Sequence, residues 1–143
     1  ASQIRYSVPE ATFALEEVAL GLYPTGQATV ALPRQIAAVH AAELLYTAEP
    51  IDAQRALAMG LLNEIVPADK LLDRAFKTAD QIANNAPLAV QATLHGIRGL
   101  DGLDIESAYL RQEELGRPLR RTEDAREAQR AFVEKREPIF RGC

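Results

Sequence analysis

Polar and apolar side chains alternate through Gln3-Ile4-Arg5-Tyr6-Ser7-Val8, the period of two expected of a short strand. Ala11–Ala14 supplies a second short extended piece, and the Gly21–Gly26 stretch reads as a turn or loop. Pro33 suits the first position of a helix, where its missing N–H leaves no bond unmade, and Ile36, Val39, Glu43 and Tyr46 then recur at helical spacing. Asp52 caps a short helix through Ala53, Ala56 and Leu57 that stops at Gly60. Leu61–Val66 is a strand-like run ended by Pro67.

The second half is helical. Asp69 is the expected cap of a helix whose apolar stripe is Leu71, Leu72, Ala75, Phe76, Ala79, Ile82 and Ala83. Pro87 opens the next helix, to about Arg98, and Gly99–Gly102 is a loop. Asp104 caps a helix to about Gly116, with Ile105, Ala108 and Tyr109 on one face. Thr122, followed by Asp124, starts a last helix that would turn Ala125, Ala128, Phe132 and Val133 inward and end by Pro138. Lone strands leave backbone N–H and C=O groups unpaired, so the opening strands need partners. The pattern therefore predicts the C-terminal portion of a larger α/β domain, with the rest of its sheet encoded upstream.

Composition adds bounds. With 48% apolar and 25% charged residues over 143 positions, the chain has ordinary globular values and enough length for a core. No run approaches the roughly 20 apolar residues of a membrane span, and no leader pattern is visible. The single cysteine, Cys143, has no internal partner, so a cytoplasmic, reducing setting is the default. A net charge of −4 argues against nonspecific nucleic-acid binding. Nine of the sixteen Lys/Arg lie in residues 101–143, interleaved with acids. That pattern is either a solvated helix face laced with ion pairs or a cationic wall for an anionic ligand.

Three blocks, in order, resemble the enoyl-CoA hydratase/isomerase (crotonase) superfamily. The first is Phe13-x-x-x-Glu17-x-x-Leu20-Gly21-Leu22-x-Pro24-x-Gly26 with Leu32-Pro33-Arg34. The second is Ala42-Glu43-Leu44-Leu45-x-Thr47, Ile51-Asp52-Ala53 and Ala56-x-x-x-Gly60-Leu61-x-Asn63-x-x-Val66-Pro67. The third is Ala131-Phe132-x-x-Lys135-Arg136-x-Pro138-x-Phe140. The resemblance implies the C-terminal part of a crotonase-like ββα spiral over residues 1–67. It implies a helical region over 68–143 that serves trimerisation and coenzyme A contact. It further implies an acyl-CoA substrate, a homotrimer or dimer of trimers, and no cofactor beyond the coenzyme A of the substrate. An upstream half would supply both oxyanion-hole N–H donors and the first of two catalytic glutamates. Neither nucleic acid nor membrane is an expected partner.

Glu17 aligns with the second acid/base glutamate of the family, and Phe13 and Gly21 fix that register against neighbouring Glu16. Hydration of an α,β-unsaturated thioester, or a proton shift within it, needs a carboxyl that gives a proton to carbon and takes it back. Apolar surroundings, here expected from Leu15, Val18 and Leu20, disfavour the charged form and suit that task. The local run alone favours the alternative, an exposed strand-edge Glu. Gly21, Pro24, Thr25 and Gly26 shape the adjoining loop and are substrate-binding candidates. Thr25, Gln27 and Ala28 depart from a glycine-richer family pattern, with Thr25 narrowing or polarising a position usually open to water or the acyl chain.

Phe132 and Lys135 match the coenzyme A clamp of the family, the ring on adenine and the cation on a ribose phosphate; the alternative is a core Phe and a solvated Lys. Arg34, Arg121 and Arg136 are weaker candidates, Arg34 having a structural hydrogen-bonding role in many relatives. Tyr23 and Tyr46 read as pocket border or core. His40 and His95 lack partners at metal-ligand spacing, so no metal site is expected, and Cys143 has no base beside it. The functional alternative is a noncatalytic truncated paralogue serving as an oligomerisation or coenzyme A-binding module.

Overall fold

A computed structural model describes residues 2–143. The chain divides into two compact units, Ala1–Ala75 and Phe76–Cys143. The first carries the strands: β1 (Tyr6–Ser7), β2 (Thr12–Phe13), β3 (Ile51–Asp52) and β4 (Glu64–Ile65), with α1 (Ala28–Gln35), α2 (Ala38–Thr47) and α3 (Ala53–Ala58) between them. β1 runs parallel to β4, with Tyr6 opposite Glu64 and Ser7 opposite Ile65. β2 runs antiparallel to β3, with Thr12 opposite Asp52 and Phe13 opposite Ile51. The opening strands thus each find one partner inside the chain. Parallel pairing needs a long crossover, and here three helices make it.

The β1–β4 ladder is extended at both ends, by Val66 N to Ser7 O at 2.9 Å on one side. On the other, Arg5 and Asn63 exchange two bonds, Arg5 N to Asn63 Oδ1 and Asn63 N to Arg5 O, both 2.8 Å. The Arg5 Nε donates to Leu61 O at 2.6 Å and its Nη1 to Gln35 Oε1 at 2.8 Å, tying β1 to the end of α1. Two small apolar clusters fill the unit. Ile36, Ala41, Leu44 and Met59 form one, joined by Leu15, Leu32, Ile51 and Leu61. Ala53, Ala56 and Leu62 form the other, joined by Phe13 among others. Small alanines where α3 meets β2 and β4 let these elements approach closely.

Two helix expectations change. Pro33 lies inside α1, near its end, instead of opening a helix. The helix starts earlier, directly after the turn at Gly26 and Gln27, and a proline this late costs only one intrahelical bond. Ile36 is extended and separates α1 from α2, so Val39 and Tyr46 project outward and Ala41, Leu44 and Leu45 are buried instead. Tyr23 and Tyr46 are both exposed, which removes the core reading for each. Asp69 does not cap: a 3-10 turn over Ala68–Lys70 leads into α4 (Leu71–Ala83), and its cap position, Pro67, makes no side-chain bond. Asp52 does cap α3, its Oδ1 accepting from Arg55 N at 2.7 Å. Early in α4, Arg74 donates to Glu64 Oε2 at 2.6 Å and lies 4.6 Å above the Tyr6 ring.

The second unit contains α5 (Pro87–Gly99), α6 (Ile105–Gly116), a 3-10 turn over Pro118–Arg121 and α7 (Glu123–Glu134). Asp104 Oδ1 and Thr122 Oγ1 accept from Ser107 N (2.9 Å) and Ala125 N (3.1 Å), so both expected caps form. The apolar stripes do not all face inward. Leu72 and Phe76 on α4 are 69% and 64% exposed. On α7, Phe132, Val133 and Ala128 are exposed and the buried positions are Asp124 and Ala131. Among the described residues no helix is long and apolar enough to cross a membrane.

Candidate active site

Glu17 begins a 3-10 turn over Glu17–Leu20. Its approach is fixed by two apolar anchors: Phe13, paired to Ile51 and packed on the Ala53 cluster, and Leu15, packed on the Ile36 cluster. Its exit is fixed by Gly21, whose φ of 71° closes the turn. A Cβ at Gly21 would meet nothing within 4 Å, so it is the backbone angle, not space, that calls for glycine. Leu22 N then returns to Glu17 O at 2.8 Å. The carboxylate is thereby held by a strand before it and a closed turn after it.

Glu17 is half-buried, whereas Glu16 is exposed. Its Oε2 is buried and has no hydrogen-bond partner among the described residues. Buried carboxylate oxygens are as a rule paired, because desolvation without a partner costs free energy. The expected apolar surroundings are only partly present: Leu15 turns into the core, while Val18 is exposed and Leu20 is 72% exposed.

The adjoining loop is compact. Pro24 is buried, and Thr25 is exposed with its carbonyl accepting Ala28 N at 3.1 Å. Gly26 and Gln27 have φ of 61° and 71°, two left-handed residues in succession that launch α1. Gln27 takes an angle that costs an L-residue about 1–2 kcal/mol. Tyr23 Oη lies 2.9 Å from Thr29 Oγ1, a hydrogen bond that spans the loop. Glu17, Gly21, Pro24, Thr25 and Gly26 thus come together in one segment of the first unit.

Phe132 and Lys135 lie together at the end of α7, in the second unit. Phe132 is 86% exposed, so it is no core residue. Lys135, at φ 53° and ψ 42°, ends the helix in the left-handed region. Lys135 N donates to Phe132 O at 3.3 Å and Arg136 N to Ala131 O at 3.0 Å, the paired bonds of a Schellman cap. Lys135 has no ion-pair partner among the described residues.

The surrounding charge pattern resolves largely into pairs. Arg126 bonds Glu123, Arg130 bonds Glu127 (3.2 Å), and Arg120 bonds Glu113 (3.2 Å). Arg136 reaches Glu127 at 2.5 Å and Glu134 at 2.5 Å, so it is occupied within the protein instead of facing a ligand. Arg34 donates to Val30 O at 2.5 Å, a structural bond.

Two carboxylates here escaped the sequence reading. Asp124, 3% exposed, accepts Arg141 N at 2.7 Å and Gly142 N at 2.8 Å, and Asp124 N donates to Cys143 O at 3.2 Å. Glu127 accepts Ile139 N at 3.1 Å besides its arginines. The Arg136 guanidinium, then the Ile139 N–H, hold the Glu127 carboxyl down at about 2. The only available signal was the placement of these acids on the first two turns of α7, ahead of a tail rich in backbone donors.

Among the described residues no group of three or more His, Cys, Asp or Glu could hold a metal. His40 is half-buried with Nδ1 3.9 Å from Glu43, His95 is exposed, and Cys143 is an exposed free thiol.

Comparison with known proteins bears on the whole segment. The family model described as Enoyl-CoA hydratase/isomerase matches residues 1–142. An enoyl-CoA hydratase of Mycobacterium tuberculosis is 39% identical over 139 residues, covering 97% of this chain and 52% of the relative. The (E)-benzylidenesuccinyl-CoA hydratase of Thauera aromatica is 39% identical over 144 residues, covering 100% of this chain and 56% of the relative. The structure of a protein from Mycobacterium abscessus described as an enoyl-CoA hydratase/isomerase superposes with a TM-score of 0.95 at 42% identity, over 99% of this chain and 59% of that one. The chain spans about half the length of the curated relatives it matches. The short-stranded first unit and helical remainder agree with the C-terminal part of the crotonase fold. This chain belongs to the enoyl-CoA hydratase/isomerase family.

Proposed function

We propose that the protein to which this chain belongs acts on acyl-CoA thioesters, adding water across an enoyl double bond or shifting a proton along it. Glu17 is the proton-transfer residue. The observation that carries this reading is the buried, unpartnered Oε2 of Glu17 on a backbone fixed from both sides. An acid/base carboxyl must keep one oxygen free for the proton it moves, and a structural carboxylate would have been satisfied. Gly21, Pro24, Thr25 and Gly26 form the loop beside the reacting carbons. Phe132 stacks on the adenine of coenzyme A and Lys135 meets its ribose phosphate; an exposed ring beside an unpaired cation supports that role. Proton transfer by a carboxyl asks for no cofactor beyond the coenzyme A of the substrate.

The oxyanion-hole donors belong to segments outside this chain, and each such donor is worth roughly 10²–10³ in rate. The protein works as a homotrimer or dimer of trimers, and the exposed faces of α4 and α7 are surfaces such assembly would cover. The relatives act on varied acyl groups, so the acyl chain is best sought by screening. The test is a Glu17→Gln variant of the full-length protein, assayed with crotonyl-CoA for hydration and with a 3-enoyl-CoA for double-bond shift. Loss of both activities with coenzyme A binding retained is expected; undiminished turnover would rule Glu17 out. Product identity in the unaltered protein separates hydratase from isomerase.

A further inference from the structure

Lys135 is a non-glycine residue held at φ 53°. If the end of α7 served only to terminate a helix, glycine would do so without strain. A strained residue persists where its surroundings over-determine it and its side chain is wanted. The surroundings are on view. Arg136, the next residue, is gripped by Glu127 through two nitrogens, Nη1 at 2.5 Å and Nη2 at 3.1 Å. Its Nε bonds Glu134 at 2.5 Å and its Nη1 also reaches Glu137 O at 3.1 Å. Its backbone N–H closes the cap on Ala131. Glu127 in turn accepts Ile139 N, which pins the chain just past the turn. The Glu127 side chain is only 13% exposed, so these bonds are shielded from water more than the other surface pairs of α7.

We infer that Glu127 is a positioning residue for coenzyme A binding: by holding Arg136 and the chain at Ile139, it fixes the left-handed turn from which Lys135 projects beside Phe132. It touches no ligand itself. The inference rests on the proposed contact of Lys135 with a ribose phosphate, and the experiment separates the two.

The full-length protein and its variants are titrated calorimetrically with coenzyme A and with dephospho-coenzyme A, which lacks the ribose phosphate. The ratio of the two affinities reads the contacts to the ribose phosphate, and its change in Lys135→Ala reads the share of Lys135. Lys135→Ala is expected to lower that ratio about tenfold, the scale of one charge-assisted contact. Glu127→Gln should lower it by about three- to tenfold, and should add nothing further in the Lys135→Ala background. A loss of general packing would weaken both ligands equally and leave the ratio alone. Arg136→Lys, which keeps the charge but not the two-nitrogen grip, should act like Glu127→Gln and serves if that variant folds poorly. A wild-type ratio in both Glu127→Gln and Arg136→Lys, or a full additional loss in the double variant, overturns the inference. An unchanged ratio in Lys135→Ala overturns the phosphate contact on which it stands.

Discussion

Two carboxylates in this chain are treated in opposite ways. Glu17, in the first unit, is held by its backbone and left with a buried oxygen that bonds to nothing among the described residues. Glu127, in the second, accepts from Arg136, Arg130 and Ile139 N. Asp124 close by is satisfied in the same manner, by backbone donors of the tail. A carboxylate that is fully bonded is fixed in charge and place and supports its neighbours. One that is desolvated but unbonded leaves an acceptor open. Hydrogen-bond satisfaction, not burial, is what distinguishes the two, since Asp124 is the more buried residue and is fully bonded.

The contrast is open to attack. Its largest consequence is kinetic: Glu17→Gln in the full-length protein should lower kcat by about 10²–10⁴, the range of general acid–base catalysis. Glu16→Gln, one residue away and exposed, should leave it nearly unchanged; steady-state kinetics on the pair checks the register. Next is stability. Asp124→Ala strands the N–H groups of Arg141 and Gly142 and should cost about 2–3 kcal/mol, read as a lower midpoint in urea. Glu127 then gives a pH signature. Its carboxyl is depressed from 4.5 to about 2 by Arg136 first and the Ile139 N–H second. A depressed acid contributes stability that is full above 4.5 and is lost as pH falls toward 2. Unfolding midpoints measured across that window should fall more steeply for the unaltered protein than for Glu127→Gln. The smallest effect lies in the first unit. Gln27→Gly relieves a left-handed glutamine and should stabilise by about 0.5 kcal/mol, after allowing for the freer unfolded chain.

Much of the helical layout was legible because helix starts are local. Asp52, Pro87, Asp104 and Thr122 each sit where a side chain or a fixed φ acts on its own neighbourhood, and each opens a helix as expected. Pro33 misled because a proline late in a helix carries the same local signal as one at its start. Phe13 and Gly21, on which the Glu17 register was read, are an inward anchor and a positive φ, so the fixing of the backbone around Glu17 was legible. The unbonded state of Oε2 was not, since it depends on what the neighbouring elements fail to provide. Nor was the tail network. The acids of α7 alternate with arginines as on any solvated helix, yet Glu127 and Asp124 bond residues nine to eighteen positions ahead. The left-handed angles of Gln27 and Lys135 were equally hidden, because neither residue type announces them.

The grip of Asp124 on the tail has a consequence for how this region tolerates change. Its partners at 141 and 142 are main-chain N–H groups, which every residue but proline supplies. Position 141 should therefore accept almost any side chain in a saturation scan and reject proline, and position 139, read by Glu127 through its N–H, should do the same. Position 142 is narrower because its φ is 75°; an added Cβ would make only ordinary contact with Pro87 at 3.6 Å. The tail would then register in a library of variants less as a motif of preferred letters than as a row of forbidden prolines with one position that favours glycine.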